Sequence, residues 1–509
     1  MSITGPGSIT AANLLAQNNM TNQLNTLSEE LGTGQAAQTY SGLGSQAGVA
    51  LALNAQLSAI NGYSSTASNV GTTLSIAQSV LSQLGSVGSA VQQSIEQQGA
   101  FTLDNNGQTT TQETAASQLD QILSLLNTQV GSNYIFSGSA TTQPSVASAS
   151  DILNGNGAQA GFIQVMANRL QADEGPDNPP LGRLVIPAAS GSTVSVSQDS
   201  VSPFGFQLTG VNSSLTGATV TGPSGTPPSI SVDLGPNPNA GDSIAFNLTL
   251  PDGSSQTITL QATTASPPGT NQFTIGATPD DTATNLQAAL TSAVQSLAQT
   301  ALPAASAMAA ANDFFNSDPP QVVEPSPGPP PDYATATSLE NGTTANTVFW
   351  YTGENGSTPA LQTATAQVGP SMTIAYGMRA TEPALSTLVA NVAVLAAATY
   401  SASNPNAQAS YQALSQDVTA NLAGQSGTQS ISDIEADLAN AQTTVKNATT
   451  MNTQTQTTLQ DMMQNIDGVN QTQIGEDILT LQNNLSASMS VTARLAQMSL
   501  VNYLAPVSG

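Results

Sequence analysis

The chain has 509 residues and a formal net charge of −26, although only 7% of its residues are charged. Cysteine and histidine are both absent, which excludes disulfides, zinc sites built from Cys or His, and nucleophiles activated by histidine. The basic residues are too few to attract nucleic acid or an anionic membrane surface, so we expect neither partner. They are Arg169, Arg183, Arg379, Lys446 and Arg494.

The sequence contains no segment typical of a secretory signal or a membrane span. Its N-terminus, MSITGPGSITAAN, lacks both a basic region and a long apolar run, so we expect no cleaved signal peptide. The most apolar stretch, residues 388–398, is too short to cross a bilayer. Because the composition is rich in Ser and Thr and lacks cysteine, we expect an extracellular protein that uses another export route.

Residues 10–31 form the first predicted helix, and their leucines recur at helical spacing on one face. An isolated helix of this length is marginally stable in water, so the stripe needs a partner surface. The stripe comprises Leu14, Leu24, Leu27 and Leu31. A glycine-rich joint follows at residues 32–48, and a long amphipathic helix is predicted from about 49 to 98.

A third helix is predicted over residues 112–130, and a glycine ends it. The sequence GSNYIFSG then occupies residues 131–138, and its aromatic and β-branched residues favour a short strand at a packing corner. The residues of interest in this corner are Tyr134, Ile135, Phe136 and Gly138.

The middle of the chain, residues 146–380, is predicted to be rich in β-structure. Short β-like runs alternate there with Gly and Pro, and the sequence Pro251-Asp252-Gly253-Ser254 is typical of a hairpin turn. A helix is predicted to begin at Thr278-Pro279-Asp280-Asp281. Residues 317–333 are too rich in proline for a helix or an inner strand and predict a linker or surface loop.

Helical patterns return over residues 384–399 and 407–422, and a long helix is predicted from 431 to 466 with Met462 on its apolar face. The last predicted helix covers residues 472–504. Its apolar residues are Ile474, Ile478, Leu481, Leu485, Met489, Leu495 and Met498, in steps of three and four or their sums. We expect this helix and the first helix to be association elements, although both could instead pack onto the protein's own core.

The predicted fold class is α+β, with a long antiparallel helical bundle or coiled coil formed by the two ends of the chain and a β-rich domain inserted between them. Five segments follow. They are an N-terminal assembly helix and joint (1–45), two parts of the helical bundle (46–145 and 381–468), the β-rich insertion (146–380) and a C-terminal assembly helix (469–509).

No catalytic, cofactor or metal site is predicted. The tightest acidic pairs, Asp280-Asp281 and Glu476-Asp477, lie where helices begin, so capping and the helix dipole explain them better than acid–base chemistry. The chain lacks a phosphate-binding glycine loop. Trp350, the only tryptophan, is expected to be a core residue in a strand.

Several stretches resemble the flagellin superfamily, and within it the hook-associated protein 3 family of hook–filament junction proteins. They are the terminal helices, the segment VALALNAQLSAINGY, the corner SNYIFSGSATTQP and the ending ARLAQMSLVNYL. The similarity covers about residues 10–145 and 425–504. One departure is that Gly32-Thr33-Gly34-Gln35 is not followed by the basic residue and Asp pair usual in the family.

The resemblance implies a non-enzymatic structural subunit of the bacterial flagellum that self-assembles through its terminal helices. It also implies export through the flagellar type III apparatus, and as partners copies of itself, other flagellar axial proteins such as hook-associated proteins and flagellin, and an export chaperone. Two other functions stay open at this point. One is a filament flagellin, and the other is a secreted adhesin or carbohydrate-binding protein whose β-rich middle does the binding.

Overall fold

The computed structural model describes residues 6–97, 99–424 and 427–503, with the side chains of residues 11–97, 99–424 and 427–497. The helices are α1 (Pro6–Thr33), α2 (Ala47–Glu96), α3 (Thr110–Leu126), α4 (Ala149–Asn154), α5 (Phe162–Glu174), α6 (Pro279–Ala298), α7 (Ala301–Phe315), α8 (Pro383–Ala397), α9 (Ala407–Leu422), α10 (Ile431–Asp467) and α11 (Gln471–Tyr503). The strands are β1 (Gln129–Val130), β2 (Asn133–Tyr134), β3 (Leu184–Val185), β4 (Thr193–Gln198), β5 (Gln207–Ser213), β6 (Thr219–Ser224), β7 (Ser229–Asp233), β8 (Ser243–Thr249), β9 (Ser255–Thr263), β10 (Gln272–Thr274), β11 (Gln321–Glu324), β12 (Ser338–Asn341), β13 (Thr365–Gly369) and β14 (Met372–Ala375). Long helices at both ends and a β-rich centre confirm the predicted α+β class.

The chain forms two compact units. The first comprises residues 1–71, 366–374 and 443–509, and the second comprises residues 72–365 and 375–442. Helices α2 and α10 therefore contribute residues to both units.

In the first unit, the start of α2 and the end of α10 run antiparallel. Leu53, Ile60 and Leu459 form their buried core, and Gly71 lies opposite Val445. The sequence predicts Met462 on this face, but that side chain is 49% exposed and Met463 packs against the core instead. A helix returns to the same face after three or four residues, and four residues after Leu459 comes Met463 and not Met462.

One polar residue lies on the buried face of α10. Asn452 is 4% exposed, and its Nδ2 donates a 2.9 Å hydrogen bond to the Val368 carbonyl oxygen in the β13–β14 hairpin. Val368 is itself fully buried. This bond fixes the hairpin to the helix in the first unit, because a carbonyl buried without a donor is costly.

We predict that Asn452→Ala destabilises the first unit by about 1–3 kcal/mol, because it removes the donor and leaves the Val368 carbonyl unpaired. Asn447→Ala on the same helix is the matched control, since Asn447 is exposed and its replacement should change stability by less than about 0.5 kcal/mol. Urea unfolding of both variants measures the difference. Equal stabilities would show that the hairpin is not held by this bond.

In the second unit, α3, α7, α8 and α9 pack together. The apolar run predicted over residues 388–398 becomes α8, which is buried on nearly every side. A capping box between Thr109 and Gln112 starts α3, and Gln112 also donates a 2.6 Å hydrogen bond to the Ala398 carbonyl oxygen after α8. The predicted third helix is therefore confirmed, although it ends at Leu126 and not at residue 130.

The β-rich part contains two four-stranded sheets, ordered β10-β9-β8-β5 and β3-β4-β7-β6. Neighbouring strands are antiparallel except β10, which runs parallel to β9. The inward faces of the sheets and one face of α6 share a core that includes Phe206, Phe246 and Leu286. The predicted turn at 251–254 joins β8 to β9, and α6 begins with the predicted cap, in which Thr278 and Asp281 form a capping box.

Other elements of the second unit are not predicted from the sequence. They are α4, α5, α7, β1, β6, β10 and β12, together with β11, which lies inside the proline-rich stretch 317–333 and pairs with β12 in a two-stranded sheet. Trp350 is 2% exposed and is a core residue as predicted, but it lies in an irregular segment and not in a strand. Its Nε1 donates to the Phe315 carbonyl oxygen at the end of α7.

Two buried arginines connect the β-rich part to the helices of the second unit. Arg169 on α5 bonds to Asp173 and to Asp313 on α7, and Asp173 also accepts a 2.8 Å hydrogen bond from the Gly205 amide. Burial raises the pKa of Asp173 although the Arg169 charge opposes the shift. Arg183 pairs with Asp199 and donates to the Ala336 carbonyl oxygen. Each guanidinium therefore crosslinks segments that are distant in sequence.

A half-buried carboxyl lies on α9. Burial raises the pKa of Asp417 to about 6, and the charge of Asp252 in the β8–β9 turn adds to the shift. The folded-state pKa is above the ordinary value of 3.8, so this group stabilises the fold at low pH. That contribution is lost as the pH rises through about 6.

We predict that Asp417→Asn is more stable than the wild type at pH 8, by about 1 kcal/mol after allowance for partial solvent exposure, and that the advantage disappears near pH 4. Thermal or urea unfolding between pH 4 and pH 8 tests this. Asp120→Asn, at an exposed position of α3, should leave the pH profile unchanged. A wild type that gains stability between pH 5 and pH 8 relative to Asp417→Asn would contradict the assignment.

Candidate assembly surface

The first unit pairs the two ends of the chain. Helices α1 and α11 run antiparallel, and the segments beside them are joined by backbone hydrogen bonds. The Ala36 amide donates to the Asp467 carbonyl oxygen at 2.7 Å, and the Val469 amide donates to the Gly34 carbonyl oxygen at 3.2 Å. Gly34 has a φ of 73°, a conformation that favours glycine, so the predicted glycine joint does change the chain direction.

On α11, five of the predicted residues form the seam toward α1. Ile474 is buried, and the other four are half-buried, namely Ile478, Leu481, Leu485 and Leu495. The prediction that Met489 lies on this stripe is wrong, because its side chain is 52% exposed. From Leu485, steps of three and four residues lead to Ser488 and Thr492, and these two side chains are half-buried on the seam instead of Met489. The Met498 side chain lies outside the described residues.

On α1, Leu24 and Leu27 are half-buried on the seam, whereas Leu14 is 54% exposed and Leu31 is 37% exposed. Placing Leu14 on the same face is therefore wrong. Ten residues separate it from Leu24, and at 3.6 residues per turn this leaves Leu14 about 80° away from the seam. The seam positions in this part of α1 are occupied by Asn13, Gln17 and Met20.

Polar residues meet where the apolar stripes are interrupted. Gln17 Nε2 lies 3.1 Å from Thr492 Oγ1 and 3.4 Å from Ser488 Oγ. The apolar pattern of the sequence could not show these residues, but extending the heptad from the flanking leucines would have placed them on the seam. Because these hydrogen bonds need one alignment, they fix the register of the two helices.

The two helices also carry large apolar side chains that lie outside the seam and are exposed. We call this set the outer face, and it consists of Leu14, Leu15, Leu479, Met489 and Val491, each more than half exposed. Full burial of one such side chain contributes about 1.5–3 kcal/mol. A pair of helices that leaves these residues in water is therefore suited to acquire further partners.

The predicted corner lies in the second unit. Phe136 is fully buried and Ile135 is 8% exposed, so both are core residues as expected of a packing corner. Strands β1 and β2 form its hairpin, and the Tyr134 amide donates a 2.8 Å hydrogen bond to the Thr141 carbonyl oxygen. The Ala380 amide donates to the Phe136 carbonyl oxygen, which attaches the corner to the segment before α8.

An ion pair covers the glycine of this corner. Arg379 Nη2 lies 2.6 Å from Glu354 Oε2, and Arg379 Nη1 donates to the Gly356 carbonyl oxygen at 2.7 Å. Gly138 has a φ of 64°, and a Cβ added there would lie 2.7 Å from Glu354 Oε2. Glycine is therefore required at this position for both its backbone conformation and its lack of a side chain.

Of the two acidic pairs, Asp280-Asp281 lies in the first turn of α6, where Asp281 belongs to the cap. The prediction that Glu476-Asp477 lies where a helix begins is wrong, because α11 begins at Gln471 and its first turn has no acidic residue. Across residues 6–97, 99–424 and 427–503, no group of three or more acidic side chains is placed to hold a metal ion. Over the same part of the chain, no helix has both the length and the hydrophobicity needed to cross a membrane.

The helical ends and the corner define a class of protein in which paired terminal helices accompany a β-rich centre. Residues 8–141, which span most of α1, all of α2 and α3, and the corner, match the profile of the bacterial flagellin N-terminal helical region. A search of the curated proteins found no match for this chain. The profile match covers about a quarter of the chain and supports the flagellin superfamily, whose members are structural proteins of the extracellular flagellum.

We predict that Leu481→Asp separates α1 from α11, because it places a charge on the half-buried seam. Asn483→Asp adds the same charge two residues further along, at an exposed position on the other side of the helix, and should leave the pair intact. Limited proteolysis of the dilute monomer measures the effect, and we expect cleavage within α1 and α11 to accelerate about tenfold or more in Leu481→Asp alone. Equal cleavage of both variants would show that this seam does not hold the two helices.

Proposed function

We propose that this chain is a self-assembling structural subunit of the bacterial flagellum that associates through α1 and α11. The observation that carries the proposal is the outer face, where large apolar side chains of both terminal helices are exposed. Copies of the chain and other axial proteins, such as hook-associated proteins and flagellin, would cover this face. Heterologous contacts that do not close on themselves would then build a helical array.

The assembly surface includes both the seam and the outer face of the α1–α11 pair. Half-buried seam residues such as Leu24 and Leu485 gain little from the single partner helix, so neighbouring subunits can complete their burial. Few charged residues oppose this packing, since the described part of α11 carries only Glu476, Asp477 and Arg494. Export through the flagellar type III apparatus, with the help of a chaperone, is part of the same proposal.

Within the flagellum, we propose the role of hook–filament junction protein. The support is the corner Tyr134–Gly138 followed by Thr141, which resembles the junction-protein motif more than that of filament flagellins. In the structure this corner is joined by backbone hydrogen bonds to the segment before α8, and the Arg379–Glu354 pair lies over its glycine. The alternative role is that of a filament flagellin, which the same terminal helices would also suit.

The five-segment division of the chain is also a proposal. The insertion, residues 146–380, contacts the helices that follow it. Its helix α7 packs against both α8 and α9. Arg379, at the end of the insertion, also bonds to Glu354 beside the corner. Any variant that removes the β-rich part should therefore keep α7 and Arg379, so that α8 and α9 remain covered.

We predict that Leu479→Asp folds normally but does not assemble. Leu479 is 62% exposed in the monomer, so the new charge has water around it until a neighbouring subunit covers the position. Asn484→Asp, also exposed on α11, is the matched control and should assemble. The measurement is sedimentation of polymer from purified protein, with circular dichroism to confirm equal helix content. If Leu479→Asp forms as much polymer as the wild type, the outer face is not part of the assembly surface.

Electron microscopy of a strain that lacks the gene distinguishes the three roles. A junction protein predicts cells that keep their hooks and lose flagellin monomers to the medium. A filament flagellin predicts bare hooks without those monomers. Intact flagella would contradict both flagellar roles and leave the secreted adhesin or carbohydrate-binding protein.

A further inference from the structure

The second unit contains a cavity of about 200 Å³ at the end of α7, beside the start of α8. One part of its lining is aromatic and includes Phe315, Phe349, Trp350 and Tyr351. The Trp350 ring contacts the rings of Phe315 and Tyr351 at centroid distances of 5.6 and 6.2 Å. Because Trp350 Nε1 also donates a 3.0 Å hydrogen bond to the Phe315 carbonyl oxygen, this wall is rigid and preformed.

Polar groups complete the lining. Asn355 Nδ2 donates a 3.2 Å hydrogen bond to Asp318 Oδ1, an arrangement that orients the remaining oxygen of each side chain as an acceptor. Both side chains are exposed, so a ligand in the cavity can reach them. The Tyr351 hydroxyl is buried against Gly353, which does not line the cavity, so Tyr351 contributes only its ring to the wall.

The chemistry of the lining selects among ligands. No basic side chain lines the cavity, and the Asp318 carboxylate would repel a phosphate or a carboxylate ligand. A sugar ring offers an apolar C–H face to aromatic side chains and adjacent hydroxyls to a carboxylate and an amide. A quaternary ammonium ion would also suit aromatic rings beside a carboxylate, but it would leave the Asn355 amide without a ligand hydrogen bond.

We propose that this cavity binds one neutral sugar ring, such as the terminal hexose of a glycan. Asp318 and Asn355 bind adjacent ring hydroxyls, and Phe349 contacts the C–H face of the ring. This activity is separate from assembly and does not depend on the proposed flagellar role.

The chain itself supplies the probe, because Trp350 is its only tryptophan and lines the cavity. Titration of the full-length monomer with glucose, galactose and mannose should change the tryptophan fluorescence saturably for at least one sugar, with a dissociation constant on the order of 1 mM. Asp318→Asn and Asn355→Ala should each weaken that binding at least tenfold, about 1.4 kcal/mol. Asp177→Asn, at an exposed position outside the lining, should bind like the wild type.

Three results would overturn the proposal. One is the absence of a saturable change with all three sugars. The second is a saturable change with tetramethylammonium and none with sugars, which would assign the cavity to an ammonium ligand. The third is sugar binding that both Asp318→Asn and Asn355→Ala leave unchanged while circular dichroism shows them folded, which would locate the binding elsewhere.

Discussion

The α1–α11 pair is incompletely buried, and the proposed assembly follows from this. Two antiparallel helices can cover only one face of each other, and here even that face stays half-exposed except at Ile474. The missing burial is apolar, so any second surface that covers the pair adds stability in proportion to the area removed from water. Contact with neighbouring subunits should therefore stabilise the two helices.

The second unit, in contrast, buries its apolar side chains within itself. Helix α8 is buried on nearly every side, the two sheets and α6 share one core, and Arg169, Arg183 and Arg379 are all buried in ion pairs. Three of the five basic residues thus crosslink the interior, which leaves Lys446 and Arg494 as the exposed cations. A surface so poor in cations presents acidic and neutral groups to any partner, and a neutral sugar is compatible with it.

Much of this architecture could be predicted from the sequence, because apolar periodicity reports which face of a helix is buried. It identified α2, α3, α8, α9, α10 and the seam residues of α11, and six strands of the β-rich part. Periodicity placed Leu14, Met462 and Met489 on buried faces, which is wrong. Each is an apolar residue next to a position on the buried face, and the pattern alone does not distinguish the two positions. The polar seam residues Gln17, Ser488 and Thr492, the buried Asn452 and the cavity beside Trp350 depend on contacts between distant segments, which local patterns do not encode.

Hydrogen exchange of the backbone amides measures the stability of each helix separately, so it shows whether α1 and α11 become ordered on assembly. In the dilute monomer, we expect amides of α1 and α11 to exchange far faster than those of α8, and their protection to rise by about a hundredfold or more in the assembled polymer. If α1 and α11 are already as protected in the monomer as α8, and assembly leaves them unchanged, the terminal helices belong to the protein's own core and not to its assembly surface.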